Sequence, residues 1–199
     1  MSTLLASATN RRRLARAERH AKVADLGKPA PTAPPPSRRA ARVYCYWDLV
    51  PSPFRAALSV AVDGDGRVLE IRLDGRRPAG RRDAKRCRDV AAQLAEYFAG
   101  QRRDFDLDLA PVGTDFQLRV WKALRAIPYG AVRNYGDIAR AIGQPKAARA
   151  VGQANGCNPL PIVIPCHRVI ASDGSIGGYS GGLAIKHRLL ALESIELDL

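Results

Sequence analysis

Leu58, Val60 and Val62 alternate with smaller residues, and after Asp63-Gly64-Asp65-Gly66 the alternation resumes at Leu69, Ile71 and Leu73. A period of two on either side of a Gly/Asp turn predicts a β-hairpin with one face inward. The period then lengthens. Val90, Leu94, Tyr97 and Phe98 fall at helical spacing, predicting a helix over roughly residues 83–99 with Gly100 as its stop. Residues 43–110 therefore read as a small α+β subdomain, with 104–111 as its connection to the second half of the chain.

That second half is helical in its patterning. Thr114 and Gln117 have the hydroxyl-then-amide spacing of a capping box, and Phe116, Val120, Leu124 and Ile127 continue an apolar stripe behind it. Pro128-Tyr129-Gly130 ends that helix. Asn134 is placed to cap a short helix from Tyr135 to Ile142, and Gly143 stops it. Pro145 suits the first position of a third helix, running to about Ala154. Two short helices around a tight Gly-containing turn suggest a helix-turn-helix. The second of them carries Ala148, Arg149, Ala150, Gly152 and Gln153, so Arg149 is its main projection. Such a bare surface suits either close packing on another helix or entry into the DNA minor groove, which is only about 6 Å wide. A last helix from Leu183 to Glu193 turns Ile185, Leu189 and Leu192 inward. The fold class is α+β: a small antiparallel-sheet/helix subdomain, then a mostly helical C-terminal domain over 111–199.

Charge adds a partner class. The formal net charge is +13 over 199 residues, and residues 1–42 hold ten Lys/Arg against two Asp/Glu. Both this tail and the mildly basic remainder suit a polyanion such as nucleic acid. The run from Pro29 to Pro36 predicts an extended linker, and the tail as a whole predicts disorder, with a helix over its Arg-rich part on an anionic surface. An organellar transit peptide ranks second for the tail. No apolar run approaches the ~20 residues of a membrane span, and Leu4-Leu5 is too short for a secretory core. Cys45, Cys87, Cys157 and Cys166 form no C-x-x-C pair and only three histidines accompany them, which argues against zinc and for free thiols in a reducing compartment.

Candidate chemistry centres on "PIVIPCHRVI", residues 161–170, where Cys166, His167 and Arg168 follow a buried-looking apolar run. Pro161 and Pro165 stiffen the segment, and a polar triplet placed there must be satisfied or functional. Glu193 lies four residues after Leu189, at the border of the last helix's buried face. A carboxylate there needs a donor. With His167 it forms a Glu–His–Cys relay that favours the thiolate, the reactive form of cysteine; Arg168 or solvent is the alternative partner. Between them runs "SDGSIGGYSGG", 172–182, where Tyr179 is able to wall a pocket and Ser180 to donate to an acceptor.

The segments "GTDFQLRVWKALRAIPYG", "YGDIARAIGQPKAARAVG" and "NPLPIVIPCHRVIASDGSIGGYSGGLAIKHRLLALE" closely resemble the O6-alkylguanine-DNA alkyltransferases, also called methylated-DNA–protein-cysteine methyltransferases. The resemblance spans about residues 44–199 and is strongest from Gly113 onward. It implies minor-groove binding by the helix-turn-helix, flipping of a damaged guanine, and irreversible transfer of the alkyl group from O6 to Cys166, once per molecule. O4 of thymine is a second alkylated position to consider. By matching position, His167 acts through a water as base for Cys166 and Glu193 orients it. Tyr135 donates to guanine N3, Arg149 replaces the flipped nucleotide, and Asn158 braces the active-site turn. Tyr179, Ser180 and Gly181 form the pocket loop, with the Ser180 N–H facing O6, and the carbonyls of Cys166 and Val169 receive the exocyclic amine. The resemblance implies no metal and no organic cofactor. The implied partner is double-stranded DNA containing O6-alkylguanine, bound by a monomer with cooperativity left open, in a prokaryotic cytoplasm or a eukaryotic nucleus. A non-catalytic lesion-binding relative, which lacks the cysteine, and a Cys-His-Glu hydrolase, which turns over, are the competing readings. Cys157, beside Asn158, is outside the motif and is either inert or modestly reactive.

Overall fold

A computed structural model describes residues 45–195. The expectations for the basic tail 1–42 lie outside the described residues. Strand β1 (Tyr46–Val50) pairs antiparallel with β2 (Leu58–Val62), which pairs antiparallel with β3 (Val68–Arg72). A two-residue strand β4 (Arg81–Arg82) joins the other edge of β1 in parallel, so the sheet order is β3-β2-β1-β4 and the sheet is mixed at one edge.

The predicted hairpin is present, with Asp63 Oδ1 accepting from the N–H groups of Asp65 and Arg67 to hold its turn. Its inward set differs from the simple alternation. The register shifts between Ala61 and Val62, so Val62 opposes Val68. Val68 and Ile71 are then buried, while Leu69 is only half-buried, because a bulge moves the residues beyond it to the other face. Nor is the outer face open. Ser59 and Ala61 are buried as fully as their neighbours. The segment after β3 crosses that face: Ser59 Oγ donates to the Arg76 carbonyl at 2.7 Å and Trp47 Nε1 to the Gly80 carbonyl at 3.2 Å.

Helix α1 (Arg88–Phe98) is shorter than the pattern predicted. Residues 84–87 form a turn in which the Cys87 N–H already bonds back to Asp83, and the apolar stripe begins only at Val90. Gly100 ends the helix region at φ +72°, a conformation that costs glycine little. Helix α2 (Asp115–Arg125) has its full capping box, the Thr114 side chain accepting from the Gln117 N–H and the Gln117 amide oxygen from the Thr114 N–H. A two-residue strand β5 (Arg133–Asn134) leads into helix α3 (Tyr135–Ala141), where Asn134 and Asp137 repeat the capping device.

Helix α4 (Ala148–Gly156) corrects the prediction for Pro145. Pro145 sits in the turn before the helix, not at its first position, and Ala147 is the N-cap. The Gln144–Ala147 backbone bond closes that turn first. Val151 and Ala154 are buried, and the Trp121 indole donates to the Ala154 carbonyl at 2.9 Å, tying α4 to α2. Arg149, Ala150, Gln153 and Gly156 remain exposed. The small residues thus serve packing on one side and leave a low surface on the other. After α4 come a 3₁₀ turn (Cys166–Arg168), strand β6 (Val169–Ile170) and helix α5 (Leu183–Leu192). Strand β6 pairs in parallel with β5, which joins the N-cap of α3 to the residues just after the cysteine.

One apolar core links both halves, from Val60 and Leu94 through Leu124 and Val151 to Val163 and Leu189. Their junction lies against the reactive segment, where the Ile71 N–H donates to the Pro159 carbonyl at 2.9 Å. No described helix is long and apolar enough to cross a membrane.

Candidate active site

The segment 158–168 is a chain of tight turns locked from within. The Asn158 amide donates to the Ile164 carbonyl at 2.8 Å, and its oxygen accepts from the Leu160 N–H at 3.0 Å. Between them Ile162 takes φ +77°, rare for a β-branched residue and worth ~1–3 kcal/mol of strain. The apolar contacts of Leu160, Ile162 and Ile164, each no more than 1% exposed, hold it there. The turn delivers Cys166, 1% exposed, and His167, fully buried, onto the 3₁₀ turn side by side.

Glu193, the C-cap of α5, receives five hydrogen bonds. His167 Nε2 lies 2.9 Å from Oε1, and Arg168 grips both oxygens, Nε at 2.8 Å and Nη2 at 2.9 Å. The two alternatives for Glu193, His167 and Arg168, are therefore both realised. The Gly130 N–H reaches Oε2 at 3.3 Å, and the Tyr97 hydroxyl donates to Oε1 at 2.7 Å. Burial would raise this carboxyl, but hydrogen bonds from His167 and Arg168 and their charges outweigh it and hold it down at about 2.

That charge state sets the histidine tautomer. An ionised carboxylate only accepts, so His167 carries its proton on Nε2 and keeps a lone pair on Nδ1. Nδ1 is buried and has no hydrogen-bond partner among the described residues. Burial also lowers the His167 pKa, with the Glu193 hydrogen bond and charge pulling the other way, so the ring is neutral and basic at Nδ1. Arg168 contributes a second constraint: its Nη1 donates to the Ile127 carbonyl at 2.6 Å, fixing the end of α2.

Burial pushes the Cys166 thiol up, and the Asn158 amide, the Tyr179 hydroxyl, the backbone and the Lys186 ammonium oppose that rise. The thiol is thus stored protonated beside groups that favour its anion. Lys186 is fully buried, a placement the apolar stripe on α5 did not anticipate. Its Nζ donates to the carbonyls of Val169 at 2.6 Å, Ile176 at 2.5 Å and Gly178 at 3.3 Å. It ties the loop 171–182 to the segment after the cysteine, and burial brings its own pKa down to about 8. The Val169 carbonyl therefore already accepts one bond, and the Cys166 carbonyl accepts from Asn155 at 3.4 Å.

Two of the expected pocket residues, Tyr179 and Tyr135, lie near the cysteine or the loop after it. Tyr179 is half-buried with its hydroxyl inward, burial and the neighbouring Cys166 raising its pKa, while Ser180 is exposed and Gly181 half-buried. Gly181 approaches Leu73 of the sheet subdomain so closely that a Cβ would collide with the leucine side chain. Tyr135, at the start of α3, faces the loop: a Cβ on Gly177 would stand 3.5 Å from its hydroxyl. Burial raises the Tyr135 pKa, and Cys166 adds to the rise. Arg149 and Gln153 are exposed, on the open side of α4. Cys157 is exposed and free, and Cys87 is buried, its thiol pushed up to about 12 chiefly by burial. Among the described residues no group of His, Cys, Asp or Glu is arranged to hold a metal ion.

Comparison with known proteins extends this picture. Residues 115–195 match the family described as "6-O-methylguanine DNA methyltransferase, DNA binding domain". The chain is 48% identical over 157 residues to a methylated-DNA–protein-cysteine methyltransferase of Methanosarcina barkeri, covering 76% of this chain and 99% of the relative. A protein of the same name from Mycolicibacterium paratuberculosis is 59% identical over 101 residues, 51% of this chain and 61% of that one. The crystal structure of the Mycobacterium tuberculosis O6-methylguanine methyltransferase superposes with a TM-score of 0.69 at 44% identity, covering 75% of this chain and 92% of the other. The M. tuberculosis OGT in complex with DNA superposes equally well, with a TM-score of 0.69 at 44% identity over 74% of this chain and 92% of that one.

Proposed function

The chain belongs to the methylated-DNA–protein-cysteine methyltransferase family, and on that premise we propose that it repairs DNA by moving the alkyl group of O6-alkylguanine onto Cys166. The observation that carries this reading is the buried Glu193–His167 pair standing directly beside a buried, free Cys166.

The arrangement supports transfer through a thiolate. The Cys166 proton passes toward His167 Nδ1, directly or through a water. The thiolate then attacks the alkyl carbon in line with the C–O6 bond. The S–C bond forms as the C–O6 bond breaks, and its electron pair stays on guanine. A donor to N3 or O6 stabilises that developing charge; Tyr135 serves N3 and the Ser180 N–H serves O6. The imidazolium formed on His167 is compensated by Glu193, which Arg168 keeps ionised. Because the thioether has no route back to thiol, each molecule acts once.

Chemistry at O6 requires the base outside the stack, and an alkylated pair costs less to open. We assign α3 and α4 as a helix-turn-helix whose low face enters the minor groove. Ala148, Ala150, Gly152 and Gln153 allow the approach and Arg149 fills the vacated position. The flipped base enters between Tyr179, Gly181 and Val169, while Asn158 keeps the turn rigid. The protein works as a monomer wherever the cell's DNA lies, with residues 111–199 as the transfer domain and 43–110 as its support. The competing hydrolase reading predicts turnover. Titrating duplex DNA containing O6-methylguanine against the protein separates them: repaired guanine should plateau at one per protein molecule, and product beyond one equivalent overturns the transferase.

A further inference from the structure

The described residues carry 22 Lys/Arg and 15 Asp/Glu. Two places hold the excess of cations. Residues 113–195, with the assigned DNA-reading helices, have ten against four, whereas the 13 residues 76–88 have seven against one; all else is net acidic. Arg76, Arg77, Arg81, Arg82, Lys85, Arg86 and Arg88 are all exposed.

This segment is held in a fixed course. It crosses the outer face of the sheet, bonded to Ser59 and Trp47 through its own carbonyls. Gly80 presses against the Cys45 carbonyl, just before β1, too closely to admit a Cβ, and β4 then pairs with β1. The guanidinium groups of Arg77 and Arg82 lie 5.8 and 5.9 Å from the Trp47 ring centroid, and that of Arg86 lies 4.2 Å from that of Tyr46. Acidic partners reach only some of the cations: Asp74 pairs with Arg76, Asp48 with Arg82 and Asp83 with Arg86. Arg77, Arg81, Lys85 and Arg88 have no ion pair among the described residues.

The segment also begins beside the pocket. Leu73, three residues before Arg76, is the residue that Gly181 of the pocket loop touches. From this we propose that residues 76–88 form a second DNA-contacting surface, on the sheet subdomain, that holds phosphates of the duplex whose damaged base occupies the pocket. The proposal rests on the alkyltransferase reading. Six of the seven cations are arginines, whose planar fork suits phosphate oxygens, and the aromatic rings preorganise three of them before DNA arrives. The bland alternative is that charge on β4 merely guards an exposed sheet edge against pairing.

The test uses the full chain with Arg77, Arg81, Lys85 and Arg88 all changed to Gln. Duplex affinity is followed by fluorescence anisotropy from 50 to 200 mM salt, and reaction with free O6-benzylguanine is followed in parallel. Losing four phosphate contacts should reduce the slope of log affinity against log salt by about 3 to 4, so that the affinity lost across this range shrinks roughly 100-fold. Reaction with the free base should be unchanged. An unchanged slope and affinity overturn the proposal in favour of edge protection. A companion variant with Arg77, Arg81 and Arg88 changed to Lys should keep the slope; if it loses as much as the Gln variant, charge is not the cause and the proposal falls. Failure of the unmodified protein to take the methyl group from duplex DNA containing O6-methylguanine would instead strike the alkyltransferase reading, leaving the slope comparison to judge the surface.

Discussion

Replacing Glu193 with Gln is the most searching perturbation of the buried network. The carboxyl is held at about 2 against an ordinary 4.5. At about 1.4 kcal/mol per unit, its ionised form contributes roughly 3 kcal/mol to stability at neutral pH. The folded pKa is depressed, so this contribution is complete above about 4.5 and disappears as pH falls through about 2. A second route reaches a similar size. The neutral amide would leave the Arg168 guanidinium buried without its counter-charge, and removing one partner of a buried ion pair costs about 3–5 kcal/mol. Its NH₂ group would also confront donors, since Tyr97, His167, Arg168 and Gly130 all point inward at this position. Urea unfolding at pH 7 should show the Glu193→Gln protein weaker by about 3 kcal/mol, a midpoint lower by roughly 1.5 M for a slope near 2 kcal/mol per M. Repeated toward pH 3, the gap should narrow as the native carboxylate loses its advantage. A loss below about 1 kcal/mol at pH 7, or a gap independent of pH, refutes the reasoning that Glu193 is a stabilised buried anion.

Tyr97→Phe removes one hydrogen bond to that anion and should cost about 1.5–3 kcal/mol in urea unfolding while slowing transfer; full stability and rate in the variant would make the contact incidental. Lys186→Met deletes a cation that favours the thiolate and the tie on three carbonyls, so the pH profile of reaction with free O6-benzylguanine should move to higher pH. An unmoved profile, even with slower reaction, would confine Lys186 to a structural part. Arg149→Ala should weaken repair in duplex DNA far more than reaction with the free base, and equal losses argue against its place in the vacated stack.

Much of the site was legible because helical spacing and turn chemistry are local. Glu193 follows Leu189 and Leu190 by four and three residues, which alone placed it at the buried face. The Thr114–Gln117 spacing and Asn134 announced two helix starts, and the structure shows both caps, with Asp137 completing a second box that the sequence reading did not name. The features that stayed hidden depend on distant partners. Tyr97 looked like one more residue of an apolar stripe, yet its hydroxyl crosses from the sheet subdomain to Glu193, 96 residues on. A buried tyrosine seeks a partner, but nothing local names it. Lys186 did carry a signal: it precedes Leu189, Leu190 and Glu193 at three, four and seven residues, on the inward side of α5. Its charge argued for solvent, and three carbonyls of a glycine-rich loop outweighed that. The Pro145 start failed because the turn bond from Ala147 to Gln144 took the place of a first helical turn. The cover over Ser59 and Ala61 was invisible because a polar Arg/Gly segment supplies it.

The central claim is that Cys166 is the alkyl acceptor. It is tested most directly by incubating the protein with duplex DNA containing O6-methylguanine, digesting it, and weighing the peptide that bears Cys166. That peptide should become heavier by one methylene, with Cys45, Cys87 and Cys157 unchanged. Repaired DNA accompanied by an unmodified Cys166 peptide, or by methyl on another residue, contradicts the account.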